Sequence, residues 1–478
     1  MKRVCAIAIF GFAWAGLGGA TETLPARVAL PPPTWARDVA PILYQNCVEC
    51  HQPGEVGPFP LLTYEDAAKR ARFLAKTVRA RRMPPWLPDG PSGAFLDERH
   101  LTDQEIAVMV GWAEAGAPAG DRSQAPVIPP KPGTGWRLGP PDLIVRMKQP
   151  FITPAGSDDV YEVFPVPYSV GGVAAEVLAS ARIPESEVLG VAAVEIRPGN
   201  SRAFHHADVW VDLSGVARKR ELAEGGNGFK SFGTPGFPPA ADLGGRVPGM
   251  TPRFLPPGIA SSVLPLQGDL VFHIHYRATG KPETDQSEIG IYFTHEPVKR
   301  IINSLLLRRF RLDIPAGESR YVIEDSIVVP ADCLLMNILP HMHLIAQEVH
   351  ASVVNPDGST QPLLDISRWN FKWQDRYVYR EPILLSKGAT IRCRWVFDNS
   401  AANPANPFSP PQRIRFGPNA TDEMCALRLG VIAVNLAEDP LFATAREKKL
   451  RAEIAEMSTE ERDRLNWAEA VDETSAQN

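Results

Sequence analysis

A charge excess of either sign is what this sequence most plainly lacks. Its 50 Lys and Arg stand against 55 Asp and Glu, a formal net charge of −5. That balance gives no reason to expect a nucleic-acid partner or an anionic membrane surface. Long apolar runs are also missing after the first twenty residues, so no membrane span is expected in the mature chain. Between residues 141 and 440 helix-favouring stretches are few. What the chain has in quantity is proline, 47 residues, with 37 glycines in 478. Prolines spread that widely disfavour a helical bundle and suit many short strands joined by turns. The length suggests two to four domains.

Residues 1–20 read as a secretory signal. Lys2 and Arg3 form a basic start, "VCAIAIFGFAWAGLGGA" is the apolar stretch, and Ala20 is a cleavage point. The expectation is a soluble exported protein, periplasmic or secreted, from which Cys5 has left with the signal.

"NCVECHQPG" supplies Cys47, Cys50 and His51 in the C-x-x-C-H spacing of a c-type haem attachment. Two thiols at that spacing bind the haem vinyl groups, and the histidine is the proximal iron ligand. A zinc site would need further ligands nearby, and only His100 is at hand. A thioredoxin-like pair would need a βαβ setting, which is absent. Val39, Ile42 and Leu43 fall at helical spacing before the motif. "LTDQEIAVMVGWAEAG" carries a capping box from Thr102 to Glu105, then Ile106, Met109, Val110 and Ala113 along one face. Helix, motif, loop and closing helix resemble a small class I cytochrome c over residues 35–120. The resemblance implies a methionine as sixth iron ligand, and Met83 in "RRMPPW" is favoured over Met109, which reads as core, and over His100.

A proline-rich linker, residues 121–140, follows. From residue 141 onward "DDVYEVFPVPY", "GVAAVEIRP", "DLVFHIHYRA", "EIGIYFTHEP", "ESRYVIEDSIVVP" and "IRCRWVFDNS" read as strands between turns. About three hundred residues is long for one sandwich, so two in tandem are expected, 141–298 and 299–440. Residues 441–478 form a charged, helix-favouring tail with a capping box from Ser458 to Glu461, expected to pack lightly on the second sandwich.

Six of the 10 histidines fall in three short clusters. His205 and His206 are adjacent in "FHHADVWVD". Neighbours on a strand point to opposite faces, so both reach one ion only where the strand is twisted, bulged or ending. His273 with His275, and His341 with His343, sit two apart and share a face. Same-face imidazoles on a rigid strand arrive already oriented for a metal. Neutral imidazoles suit copper or zinc, whereas a thioether selects Cu(I). Met424, in "TDEMCALRLG", is such a thioether, although by itself it reads as core.

"FHHADVW", "FHIHYRATG", "LPHMHL" and "TDEMC" occur in the order found in copper type II ascorbate-dependent monooxygenases of the peptidylglycine α-hydroxylating and dopamine β-hydroxylating kind, and residues 140–435 resemble that family. The resemblance implies two tandem jelly rolls, each holding one copper ion, facing each other across a solvent-filled gap. It implies that His205, His206 and His275, rather than His273, hold an electron-transfer copper. It implies His341, His343 and Met424 as the catalytic ligands of an oxygen-binding copper, and a disulfide between Cys393 and Cys425, with Cys333 left as a buried thiol. The implied reaction inserts one atom of O2 into a C–H bond of a small-molecule substrate. Electrons would come from an ascorbate-like reductant or a redox protein of the periplasm, with the fused haem as a candidate route.

Two departures limit the resemblance. Ala426 and Arg428 stand where peptide-amidating members carry the asparagine and tyrosine that grip a substrate carboxylate. Leu339 stands where they carry an arginine. Peptidylglycine is therefore not the expected substrate, and Arg428 is a replacement anchor only if it faces the cleft. Two rivals use the same residues: a non-catalytic haem and copper electron-transfer or copper-sensing protein, and a zinc hydrolase built on one three-histidine site.

Overall fold

Gln267–Tyr276, the stretch that carries His273 and His275, is the middle strand of a five-stranded antiparallel sheet. Val160–Ser169 flanks it on one side and Phe204–Asp212 on the other, with Phe229–Lys230 and Ala241–Arg246 at the edges. These strands come from a computed structural model that describes residues 31–464, except 54, 56, 91–92, 130–134, 157–158, 232–234, 236, 238, 248–249 and 418. The expected signal, residues 1–20, part of the linker and the end of the tail lie outside the described residues.

A second sheet, in the order Leu143–Arg146, Glu288–Phe293, Val188–Arg197 and Ser262–Pro265, supplies the other half of the first β unit. Val209, Leu270 and Phe272 from the first sheet meet Leu189, Ile289 and Ile291 from the second in one core. Each is at most 1% exposed, and burying such a side chain stabilises by about 1.5–3 kcal/mol. The alternation of apolar and polar residues that marked the strands thus serves a two-sheet packing.

The second β unit follows the same plan. One sheet runs Asn303–Arg308, Cys425–Ala433, Cys333–Met342, Tyr377–Leu385, and the other Tyr321–Val328, Thr390–Phe397, Ala346–Val354, Thr360–Ile366. Leu305, Leu335 and Leu427 pack against Val349, Ile391 and Trp395 between them. The chain is thus mostly β, in several sheets, with a few helices. The tail helix Asp439–Ala455 is held more firmly than its charged sequence suggests. Phe442 is fully buried in the second core, Glu453 pairs with Arg309 at 2.8 Å, and Lys449 with Asp325 at 2.7 Å. The capping box at Ser458 and Glu461 forms.

The segment around Cys47 is helical. Trp35–Val39 and Ala40–Asn46 lead into the motif, Tyr64–Ala68 and Ala71–Arg79 follow it, and Asp103–Glu114 closes the segment. Thr102 and Glu105 form the capping box expected of them. Met109 and Trp112 are the fully buried residues of that last helix, with Ile106, Val110 and Ala113 partly buried beside them. The loop between the last two helices departs from any self-contained segment. Leu96 N–H donates to the Val378 carbonyl at 2.7 Å and Arg380 N–H to the Ala94 carbonyl at 3.0 Å. Phe95, thereby bridged to Tyr379, joins the second β core. Residues 94–96 in effect extend that unit's sheet at the edge strand Tyr377–Leu385.

Glu162 lies nearly buried in the first sheet, paired in register with Lys230. Burial pushes its carboxyl up to about 7, although Lys230 pulls the other way. Between its ordinary 4.5 and 7 the folded chain binds more protons than the unfolded one, so stability falls as pH rises through that window. Glu162→Gln should remove this slope. Urea unfolding should find the variant level with the parent near pH 4.5 and more stable by about 2 kcal/mol at pH 8.

Candidate metal centres

Phe204–Asp212 pairs regularly with Gln267–Tyr276 from Asp212 down to His206, which stands opposite His275. The next pair is Phe204 with Tyr276, so His205 is the extra residue of a β-bulge. A bulge turns the inserted side chain out of alternation, and the ring of His205 swings to the side already occupied by His206 and His275. The three Nδ1 atoms then form a triangle, 3.1 Å from His205 to His206 and 3.2 Å along the other two edges. Donors that share one ion with metal–nitrogen bonds of about 2.0 Å have this spacing.

Three neutral imidazole nitrogens cannot satisfy one another at those distances, because each is either a donor or an acceptor. A cation satisfies all three. Burial holds His205 down to about 3 and His206 well below the ordinary imidazole value, so both present lone pairs at neutral pH. His275 donates from Nε2 to Asp159 at 2.9 Å, which fixes its Nδ1 as the free nitrogen. Burial pushes the Asp159 carboxyl up, but hydrogen bonds from His275 and the Ala278 N–H outweigh it and hold the group below its ordinary value. Tyr161 stacks on the His275 ring at 4.2 Å and fixes its plane. His273, on the same face, does not join the triangle. Its Nε2 donates to the Ser231 carbonyl at 3.1 Å, and its ring stacks on Trp210.

His341 and His343 sit where Cys333–Met342 ends, their rings 5.2 Å apart and nearly perpendicular. His341 donates from Nδ1 to Gln374 at 2.7 Å, and His343 from Nδ1 to the Asp422 carbonyl at 3.2 Å. Both bonds leave Nε2 as the free nitrogen. Met424 lines the same cavity as these two histidines. Glu423 ties its strand to theirs. Its carboxylate accepts from the backbone N–H groups of His343 at 2.8 Å, Ile345 at 2.9 Å and Met424 at 3.0 Å. Burial pushes Glu423 up to about 8 against the pull of those donors. Two imidazoles and a thioether are a soft set suited to Cu(I).

The two groups are neighbours rather than partners across a wide gap. The rings of His206 and His341 are 6.4 Å apart, and Phe371 lies between the groups, stacked on His205 at 5.4 Å and edge-on to His343 at 5.6 Å. Beside them a cavity of about 530 Å³ opens between the β units, lined by His206, His341, His343 and Met424. Leu339 and Arg428 line it too, so Arg428 does face the cleft.

No family model and no curated protein matches the chain. Among solved structures it is similar to a two-domain protein of unknown function from Bacteroides fragilis NCTC 9343, at 8% identity over 57% of this chain and 95% of that one. The TM-score of 0.15 is too low to carry an argument. What the site can do is therefore decided by its residues.

Around the C-x-x-C-H motif, Cys47 and Cys50 are unbonded thiols. His51 donates from Nδ1 to the Phe59 carbonyl at 2.9 Å, which leaves Nε2 for an iron. A Cβ on Gly57 would stand 2.9 Å from the same Nδ1, so only glycine fits under the ring. These features suit a covalent haem. Met83 is 41% exposed on the loop after Ala71–Arg79, outside the segment's core. His100 packs against Trp86 and lies 3.6 Å from Glu98. Cys393 and Cys425, the expected disulfide pair, are free thiols here, both buried in the second core.

Sequence reasoning missed Asp159, Gln374, Glu423 and Phe371, each remote in the chain from the histidines it serves. Glu423, next to the Met424 motif, carried the one local signal, a carboxylate beside a proposed ligand. Asp159→Ala should lower affinity at the His205–His206–His275 group by about 10- to 100-fold. Chelator competition measures this, and unchanged affinity would mean that Asp159 does not orient His275.

Proposed function

We propose that this chain is an exported copper-dependent monooxygenase, hydroxylating a C–H bond of a small molecule with O2, with a covalent c-type haem as its electron entry. The supporting observation is the convergence of the His205, His206 and His275 Nδ1 atoms within 3.2 Å, beside a second, softer donor set on one cavity. In this reading His205, His206 and His275 hold the electron-transfer copper, and His341, His343 and Met424 hold the oxygen-binding one. When bound, copper at the soft site supplies reduction of O2 and C–H cleavage, and copper at the three-histidine site cycles between oxidation states. The chain's own groups bind and orient. Asp159 and Gln374 fix imidazole tautomers, Glu423 holds the Met424 strand in register with His343, and Phe371 stands against His205 and His343 between the two groups. No side chain need act as a general base. We read each β unit as a jelly roll and the helical segment as cytochrome c-like, with Cys47, Cys50 and His51 attaching the haem and Met83 completing its ligation.

Two polar contacts that tie the helical segment to the β units support that reading. Arg137, from the end of the linker, pairs with Glu49 and Glu55 beside the haem motif, while its backbone N–H bonds Glu195 of the first β unit at 2.8 Å. Arg99 pairs with Asp375 at 2.8 Å, next to the Gln374 that holds His341. Among the described residues no helix is long and apolar enough to cross a membrane.

Protein exported from a haem-maturing host and loaded with copper should contain one iron and two coppers per chain. His341→Ala should retain the iron and one copper, and lose O2-dependent product formation. One iron with no specifically bound copper would overturn the reading, and two coppers without substrate-dependent O2 uptake would favour an electron-transfer protein. If Cys393 and Cys425 close a disulfide on export, the haem-loaded mature chain should show one titratable thiol, Cys333. Three titratable thiols would refute the bridge.

A further inference from the structure

The cavity beside the histidines carries a charge that neither metal group explains. On its wall, the sheet face of the second β unit stands in rows. Arg308 pairs with Ala426 and Ala426 with His341, while Leu306 pairs with Arg428 and Arg428 with Leu339. With neighbouring strands about 4.8 Å apart, Arg308 and His341 flank Ala426 on one face. Asn337 pairs with Val378 and Ile338 with Tyr377, which carries Arg376 alongside Leu339. Gln374, two residues earlier, holds His341.

Among the described residues Arg246, Arg253, Arg308, Arg376, Arg428 and Arg446 line this cavity, and Asp208 and Asp242 are its acidic residues. Some of the guanidinium groups are committed. Arg428 pairs with Asp242 at 3.2 Å, Arg253 with Asp97, and Arg246 donates to the Ile196 carbonyl at 3.0 Å. Arg376 is different. Among the described residues no carboxylate lies within ion-pair distance of its guanidinium, and its neighbour Asp375 is turned to Arg99. Burial first, then the charges of Arg253 and Arg428, push the Arg376 guanidinium down despite Asp375. Burial and Arg428 push Arg308 down to about 10. Guanidinium groups do not lose their proton in proteins, so this crowding is electrostatic stress, which a bound anion relieves.

Leu243, Val263, Leu306, Leu339 and Phe416 give part of the lining an apolar character, among polar residues such as Ser262, Asn303 and Asn337. A cavity of about 530 Å³ suits a ligand of drug size, held by an apolar body and oriented by few polar contacts. We propose that the cavity binds an amphipathic organic anion, its acidic head on Arg376 and its apolar body reaching toward His341, His343 and Met424. That the anion is the substrate rests on the monooxygenase reading; that the cavity selects anions does not. A planar guanidinium grips a carboxylate with two parallel hydrogen bonds, which fixes the body's direction as well as its affinity. The positions where that family grips a carboxylate are Ala426, Arg428 and Leu339 here, so this anchor lies elsewhere, just before the strand Tyr377–Leu385.

The test is equilibrium binding to the full-length, copper-loaded protein of three probes with one body: 4-phenylbutyrate, 4-phenylbutyramide and 4-phenylbutylammonium. The carboxylate should bind at least tenfold tighter than the amide, with the ammonium weakest. Arg376→Gln should erase at least tenfold of that preference, with copper content and circular dichroism unchanged, while Arg376→Lys keeps most of it. Should Arg376→Gln fail to fold, the carboxylate-to-amide ratio in Arg376→Lys and the parent decides. Equal binding of carboxylate and amide by the parent, absence of binding by all three, or an undiminished preference in Arg376→Gln would overturn the proposal. An intact anion preference in protein that takes up no copper would support the anion pocket and sink the monooxygenase reading alone.

Discussion

In a regular strand two neighbouring side chains cannot touch the same ion, because the pleat sends them to opposite faces. Everything proposed for the first metal group depends on one exception, the bulge that makes His205 an unpaired residue between the His206–His275 and Phe204–Tyr276 pairs. The bulge is held in place by its surroundings. The register on either side is set by buried residues, Ala207 and Val209 on one strand and Phe272 and Ile274 on the next. A one-residue slip would turn that whole set to the wrong face. The bulge is thus anchored by the core on either side, and its product is a triangle of nitrogens with no satisfactory hydrogen-bonding solution among themselves. A bound cation would relieve that conflict.

The second group is organised by carboxylate and amide contacts rather than by a bulge. Gln374 and the Asp422 carbonyl each take one Nδ1–H, so the two free nitrogens are defined before any ion arrives. Glu423 accepts the backbone donors of His343 and Met424 together, making the spacing of histidine and thioether a property of one buried side chain. The helical segment reaches the same neighbourhood through Arg99, Asp375 and Gln374. The two β units therefore meet at one cavity, and the helical segment is tied beside it through the Arg99–Asp375 pair.

Much of this was legible in the chain. Period-two patterning marked the strands, and proline and glycine marked their ends. The Thr102 and Ser458 capping boxes form as their sequences suggest, because capping is a contact between residues three apart. What escaped was everything that depends on distant segments meeting. The strand-like attachment of residues 94–96 to Tyr377–Leu385 carries no local signature, since any extended segment can add to a sheet edge. Phe442 looked like one apolar residue in a charged helix, yet it is fully buried, because the second core has a place for it.

The sequence by itself determined the chemistry on offer: a C-x-x-C-H motif, three histidine pairs and a thioether, each local in sequence and so readable without the fold. Only the tertiary structure decided which of those groups meet. It brought His275 to the His205–His206 pair and tied His273 to Ser231 instead. It drew the His206 and His341 rings to 6.4 Å, and it gathered six arginines from both β units and the tail helix around one cavity. The physical reason is that strand pairing joins residues far apart in the chain, and such pairings are fixed by register and by burial in the core, not by neighbours in the sequence.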